Sequence, residues 1–218
     1  MRLRHKPWAK ELLESHPEYI VPSPEEGKGC WNEIFSNNRP IHVEVGTGKG
    51  KFLTNMCEKY PDINFIGIEK YESVLVTGLQ RILEKEVKPA NLRFINGDAA
   101  DFPAYFENNE LDRIFINFTD PWPKKRHEKR RLTYKDFLDL YKAALKPGAE
   151  LHMKTDNEGL FEYSLESMSE YGLKLKNISL NLHQSDWEDN VMTEYEEKFY
   201  SRGERIFRVE AVYPNDGE

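Results

Sequence analysis

From residue 40 onward the chain alternates short apolar runs with longer segments whose apolar residues recur every three or four positions. IHVEVG (41–46), INFIGIE (63–69), LRFING (92–97), LDRIFINF (111–118) and AELHMKTD (149–156) have the length and the β-branched or aromatic content of strands. Between them the spacing predicts a helix over 51–60 with Phe52, Met56 and Cys57 on one face, and another over 71–86 with Val74, Leu75, Leu79 and Ile82. Thr133, three residues before Asp136, reads as the cap of a further helix, its inner face Phe137, Leu138, Tyr141, Ala144 and Leu145 and its end Pro147-Gly148. A last long helix is expected over 160–172, and LKLKNISLNLH and RIFRVEAVY supply two closing strands. Strands separated by helices of this length pair in parallel through right-handed crossovers, so the fold class is α/β: a doubly wound, mostly parallel, seven-stranded sheet. No long helix is expected between the last two strands, which predicts an antiparallel pair at one edge. Residues 1–30 read as an N-terminal arm with a short helix, and 31–218 as one domain.

Ligands of such sheets gather at the carboxyl ends of the strands. The first strand ends in EVGTGKGKF, which places Glu44 before a turn containing Gly46, Gly48 and Gly50. A dinucleotide fingerprint wants glycine where Lys51 stands, and a phosphate-binding Walker loop needs Ser or Thr where Phe52 stands. Glu-x-Gly-x-Gly-x-Gly instead resembles the first motif of class I methyltransferases, which bind S-adenosylmethionine. A carboxylate at Glu44 suits the positive end of that cofactor, with its sulfonium and α-amino group. Glu69, closing the second strand, stands where a carboxylate can accept from both ribose hydroxyls. Asp98, just past the third strand, can accept from the adenine amine, with Asn96 or neighbouring backbone in support.

Composition changes the picture in one place. The chain has a net charge of -7, yet Lys124 to Arg131 packs six Lys or Arg into eight positions. That run directly follows the fourth strand and the stiff turn Asp120-Pro121-Trp122-Pro123, in which two prolines fix φ. So dense a cationic segment at the catalytic edge of a sheet points to RNA or DNA. Hydrophobic residues make up 39% of the chain and aromatics 12%, enough for a sizeable core. The longest apolar runs fall far short of the ~20 residues that cross a bilayer, and the start MRLRHKPWAK lacks the apolar core of a leader, so a cytoplasmic protein is expected without a membrane partner. Cys30 and Cys57 stand without a ligand cluster, and no metal is indicated. Both a monomer and a homodimer are compatible with the sequence.

RHKPW, EVGTGKG, GIE, NFTDPWPKKRHEKRRL, KTDN and MTEYEEKF together resemble the bacterial tRNA (guanine-N7)-methyltransferase family, from residue 2 to about residue 200. The resemblance implies a Rossmann-like class I methyltransferase that uses S-adenosylmethionine to methylate N7 of guanine 46, in the variable loop of tRNA. It places Glu44, Gly46, Gly48, Gly50, Glu69, Asn96, Asp98 and Asp120 toward the cofactor, with Asp120 also the catalytic residue. It places Lys124, Asp156, Thr193, Glu194, Tyr195 and Glu196 toward the target guanosine, and Arg126, His127, Glu128, Lys129, Arg130 and Arg131 toward the RNA.

Guanine N7 carries a lone pair and no proton, so Asp120 is expected to orient and stabilise rather than to abstract. Asp156 and Glu196 can each accept from the N1 and N2 hydrogens of guanine, although Asp156 can also cap the helix that follows it. Trp122 or Tyr195 is expected to support a nucleotide turned out of its stack. Arg2, Arg4, His5, Lys6 and Lys10 around Trp8 extend the cationic surface or form a frayed tail; His127 and His183 have no partner pattern of their own. Three other readings remain at this level: an RNA-binding module with a vestigial turn, a methyltransferase for protein or small molecules, and a nicotinamide-dependent reductase.

Overall fold

The computed structural model describes residues 5–215, so Arg2 and Arg4 lie outside the described residues. Seven strands form one sheet: β1 (Ile41–Val45), β2 (Asn64–Glu69), β3 (Leu92–Asn96), β4 (Leu111–Asn117), β5 (Leu145–Thr155), β6 (Lys174–Ser179) and β7 (Phe207–Val212). Their order is β3-β2-β1-β4-β5-β7-β6. β1 pairs with β2, β2 with β3 and β4 with β5 in parallel, whereas β7 is antiparallel to both β5 and β6. The mostly parallel sheet with its antiparallel closing pair is thus the one the periodicity predicts. Every residue of β1 and β2 is buried, His42 and Glu44 of β1 included, as in strands covered on both faces.

The eight helices are α1 (Ala9–Glu14), α2 (Trp31–Phe35), α3 (Lys51–Lys59), α4 (Glu72–Leu83), α5 (Phe102–Tyr105), α6 (Lys135–Ala144), α7 (Glu158–Glu170) and α8 (Glu194–Tyr200) among the described residues. Phe52, Met56 and Cys57 of α3, and Leu75, Leu79 and Ile82 of α4, are buried as the spacing requires, while Val74 and Phe137 remain half-exposed. Thr133 does not cap α6. Tyr134 is the N-cap without a side-chain bond, and the Thr133 hydroxyl lies 2.8 Å from that of Ser164 instead. Nor do Pro147 and Gly148 end that helix: it stops at Ala144, and the chain runs straight into β5, which absorbs both residues in a register shift against β4. Asn157, not Asp156, caps α7, its side chain accepting from the Leu160 amide at 2.8 Å.

Two compact units divide the chain between Glu107 and Asn108. In the first, the N-terminal arm packs α1 against α4, with Lys6 Nζ 2.9 Å from Thr77 Oγ1. The arm then bridges to β3, where Val21 N–H donates to the Phe94 carbonyl and Phe94 N–H to that of Tyr19. In the second unit, Glu150, His152 and Glu210 bring ligand-type atoms together across β5 and β7. Arg113 and Lys176 already bind Glu150, and Arg208 binds Glu210, so the carboxylates are neutralised by the protein's own cations.

Candidate functional site

In the first unit the parallel register sets Glu69 beside Asn96 at the ends of β2 and β3. The turn after β1 folds back over β2, where the amides of Gly46 and Thr47 both donate to the Ile68 carbonyl at 2.9 and 3.0 Å. Gly46, Gly48 and Gly50 have φ of 77°, 59° and 67°, the left-handed region in which a Cβ is strained. A Cβ at Gly50 would also lie 3.0 Å from Cζ of Phe94, whereas one at Gly48 would meet nothing within 4 Å. The space above the turn is therefore open while its base is tight.

Two buried carboxylates fix this turn. Glu44, 2% exposed, accepts from the Thr47 hydroxyl at 2.6 Å. Glu69 accepts from the Gly48 amide at 3.0 Å through one oxygen and from the Tyr71 amide at 2.9 Å through the other. Each oxygen can accept more than one bond, so capacity for ligand hydroxyls remains. Asp98 accepts from the Ala100 amide at 3.1 Å and from Lys70 at 2.5 Å, and the Lys70 contact holds its carboxyl below the usual range. Asn96 donates through Nδ2 to the carbonyls of Glu69 and Lys70 at 2.9 and 3.2 Å, which leaves Oδ1 as an acceptor.

In the second unit, β4 ends in a turn that departs from ordinary backbone. Phe118 and Trp122 have φ of 52° and 42°, unusual for bulky side chains. Asp120 between them is exposed and has no hydrogen bond or ion pair among the described residues. Residues 125–130 form a 3-10 turn in which Lys125, Arg126 and Lys129 are exposed, as is Lys124 before it. None of these four cations has a side-chain partner among the described residues. His127 and Glu128 are half-buried; His127 meets the Trp122 ring edge-on at 5.7 Å between centroids. Arg130 lies over the same ring at 4.8 Å. Arg131 is drawn inward, over Tyr163 at 4.1 Å.

Asp156 follows β5 and is half-buried, and burial pushes its carboxyl upward, with Glu204 adding to the effect. Thr193 and Glu196 form the capping box of α8. Glu196 is fully buried: Oε2 accepts from Lys154 at 2.6 Å, Oε1 accepts from Asn190 at 2.5 Å, and His183 Nε2 lies 3.1 Å from Oε1 off the hydrogen-bond line. Glu196 is thus spent on its own unit in this arrangement. Lys154, 6% exposed, also donates to Asn190 and to the Val191 carbonyl, so it ties 190–196 to β5. Glu194 is half-exposed and Tyr195 38% exposed, Tyr195 stacking on Phe199, which stacks in turn on Phe118. Sequence reasoning passed over Lys154 and Phe118, whose roles depend on pairing between distant segments.

The family described as "Putative methyltransferase" matches residues 38–209. A tRNA (guanine-N(7)-)-methyltransferase of Geobacillus sp. (strain WCH70) is 58% identical over 98% of this chain and 96% of its own length. The protein of that name from Halalkalibacterium halodurans is 55% identical over 100% of this chain and 98% of its own.

The chain belongs to the tRNA (guanine-N(7)-)-methyltransferase family.

Among solved structures, the 16S rRNA methyltransferase KamB superposes with a TM-score of 0.63 over 84% of this chain and 92% of its own, at 14% identity. A 16S rRNA (adenine(1408)-N(1))-methyltransferase solved with its cosubstrate SAM gives 0.60 over 89% and 93%, at 16% identity. At such identities the likeness concerns the fold, which this family therefore shares with other methyltransferases. The motifs quoted from the sequence fall inside the matched span, apart from RHKPW.

Proposed function

We propose that this chain transfers the methyl group of S-adenosylmethionine to N7 of guanine in tRNA, at position 46 of the variable loop. One observation carries the reading: a glycine turn pinned by Glu69 occurs in the same chain as a turn bearing an unpaired Asp120 and four exposed cations without protein partners. Near-full-length relatives at 55–58% identity support it.

The residues of the first unit fit the cofactor chemically. Open space over Gly48 admits a ligand against backbone, the Glu69 carboxylate retains capacity for ribose hydroxyls, and Asn96 Oδ1 is the acceptor for the adenine amine, with Asp98 beside it. Glu44 supplies negative charge beneath the turn. When bound, S-adenosylmethionine supplies a methyl group made electrophilic by its sulfonium.

Guanine N7 needs no deprotonation, so the protein's task is alignment and charge stabilisation. Asp120, exposed and held on a stiff turn, stabilises the positive charge that develops on the purine. Asp156 accepts from the N1 and N2 hydrogens, leaving N7 free on the opposite edge. Thr193 and Glu196 shape α8 so that Glu194 and Tyr195 face the nucleotide, and Lys124, Arg126 and Lys129 neutralise phosphates. The reading implies a cytoplasmic enzyme; among the described residues no helix is long and apolar enough to cross a membrane.

The test is incubation with unmodified tRNA and methyl-labelled cofactor, followed by mapping of the labelled nucleotide. Label on N7 of a variable-loop guanine is expected. Label on another atom, or on protein, rejects the reading.

A further inference from the structure

The cationic run looks uniform in sequence, yet one of its members behaves differently in the fold. Arg131 Nε donates to the Pro121 and Trp122 carbonyls at 3.2 and 3.3 Å, and Nη2 donates to the Trp122 carbonyl at 3.1 Å. Its guanidinium carbon lies 4.1 Å from the centroid of Tyr163 on α7. Arginine can do this because its planar fork reaches two acceptors at once while its face stacks on a ring.

The two carbonyls belong to the residues directly after Asp120, in a stretch with little other support. No backbone amide from Thr119 to Lys124 donates a hydrogen bond among the described residues, and two of those positions are prolines without an N–H. The turn also contains Trp122 at φ 42°, a strained conformation that persists only where its surroundings enforce it. We infer that Arg131 is a positioning residue, clamping the Asp120–Pro123 turn from below, and is not one of the cations that meet RNA. The inference rests on the methyl-transfer reading above for its kinetic readout.

Three consequences separate clamp from phosphate contact. A phosphate contact contributes about 0.9 to the slope of log affinity against log salt, the value for a B-form duplex, and its removal leaves the active-site geometry alone. A clamp contributes nothing to that slope but fixes Asp120, and a misplacement of about 1 Å can cost ~10²-fold in rate. Lysine preserves the charge but not the fork, so it cannot replace a clamp.

The experiment measures kcat and the salt slope of tRNA binding for wild type, Arg131→Gln, Arg131→Lys, Tyr163→Leu and, as a phosphate-type comparator, Arg126→Gln. Arg131→Gln and Arg131→Lys are expected to lower kcat about 10²-fold with the salt slope of wild type, and Tyr163→Leu to lower kcat in the same direction. Arg126→Gln is expected to reduce the slope by about 0.9. A reduced slope in Arg131→Gln, or an unchanged kcat in Arg131→Lys, overturns the inference. A readout independent of turnover is the 5-fluorotryptophan resonance of Trp122, assigned through Trp122→Phe: it is expected to shift or broaden in Arg131→Gln, and an unmoved signal also overturns the clamp. Should wild type leave tRNA unmethylated while that resonance responds, the methyl-transfer reading fails and the clamp stands.

Discussion

Asp120 and Glu196 are both carboxylates that the sequence offers to the substrate, and their surroundings assign them opposite work. Asp120 is exposed without a protein partner, whereas Glu196 has no accessible surface and both its oxygens are engaged. Replacing Asp120 with Asn is expected to lower kcat about 10²–10³-fold without lowering the melting temperature, as single-turnover assays and calorimetry would report. Asp156 carries a pH signature. Burial raises its folded-state pKa, so its contribution to stability is full below the unfolded value and is lost as pH rises through the folded one. As an acceptor for guanine it must be ionised, so the acid limb of kcat/KM is expected above the usual aspartate range and absent in Asp156→Asn. The Thr-x-x-acid spacing occurs at Thr133–Asp136 and again at Thr193–Glu196, but only the second forms a capping box. Local pattern could not separate them, because Thr133 is claimed by Ser164, a residue 31 positions away.

Elements were legible where periodicity is strong. The fully buried β1 and β2 and the glycine turn between β1 and α3 could be read directly, since a buried parallel strand and a left-handed turn each demand a narrow set of residues. α1, α2 and α8 are too short for a periodic signal, and the placement of Lys154 beneath α8 depends on pairing between distant segments. That ion pair is buried, so Lys154→Met is expected to cost about 3–5 kcal/mol in denaturant unfolding by stranding Glu196, with most of the loss recovered in a Lys154→Met, Glu196→Leu double variant. Gly50→Ala is expected to cost ~1–3 kcal/mol and to weaken cofactor binding in calorimetry, since the new Cβ would press on Phe94 at a positive φ.

Across the whole molecule, charge is segregated: a chain of net charge -7 gathers six Lys or Arg into one eight-residue segment. That segregation was plain in the sequence, but which cations face outward was not, since only the folded turn distinguishes Arg126 from Arg131. Loss of any one of Lys124, Lys125, Arg126 or Lys129 is expected to weaken all tRNAs alike and to reduce the salt slope by about 0.9 in filter-binding titrations.

A sheet's outer strand is a template for unwanted neighbours. Here the amide of Val21 and the carbonyl of Tyr19 already occupy the rim of β3, so the leading segment acts as a selvedge that keeps the weave from joining another copy. Cutting the chain back to Pro22 would bare that rim, and the shortened protein should be recovered as fibrous or amorphous precipitate rather than as a merely less active enzyme.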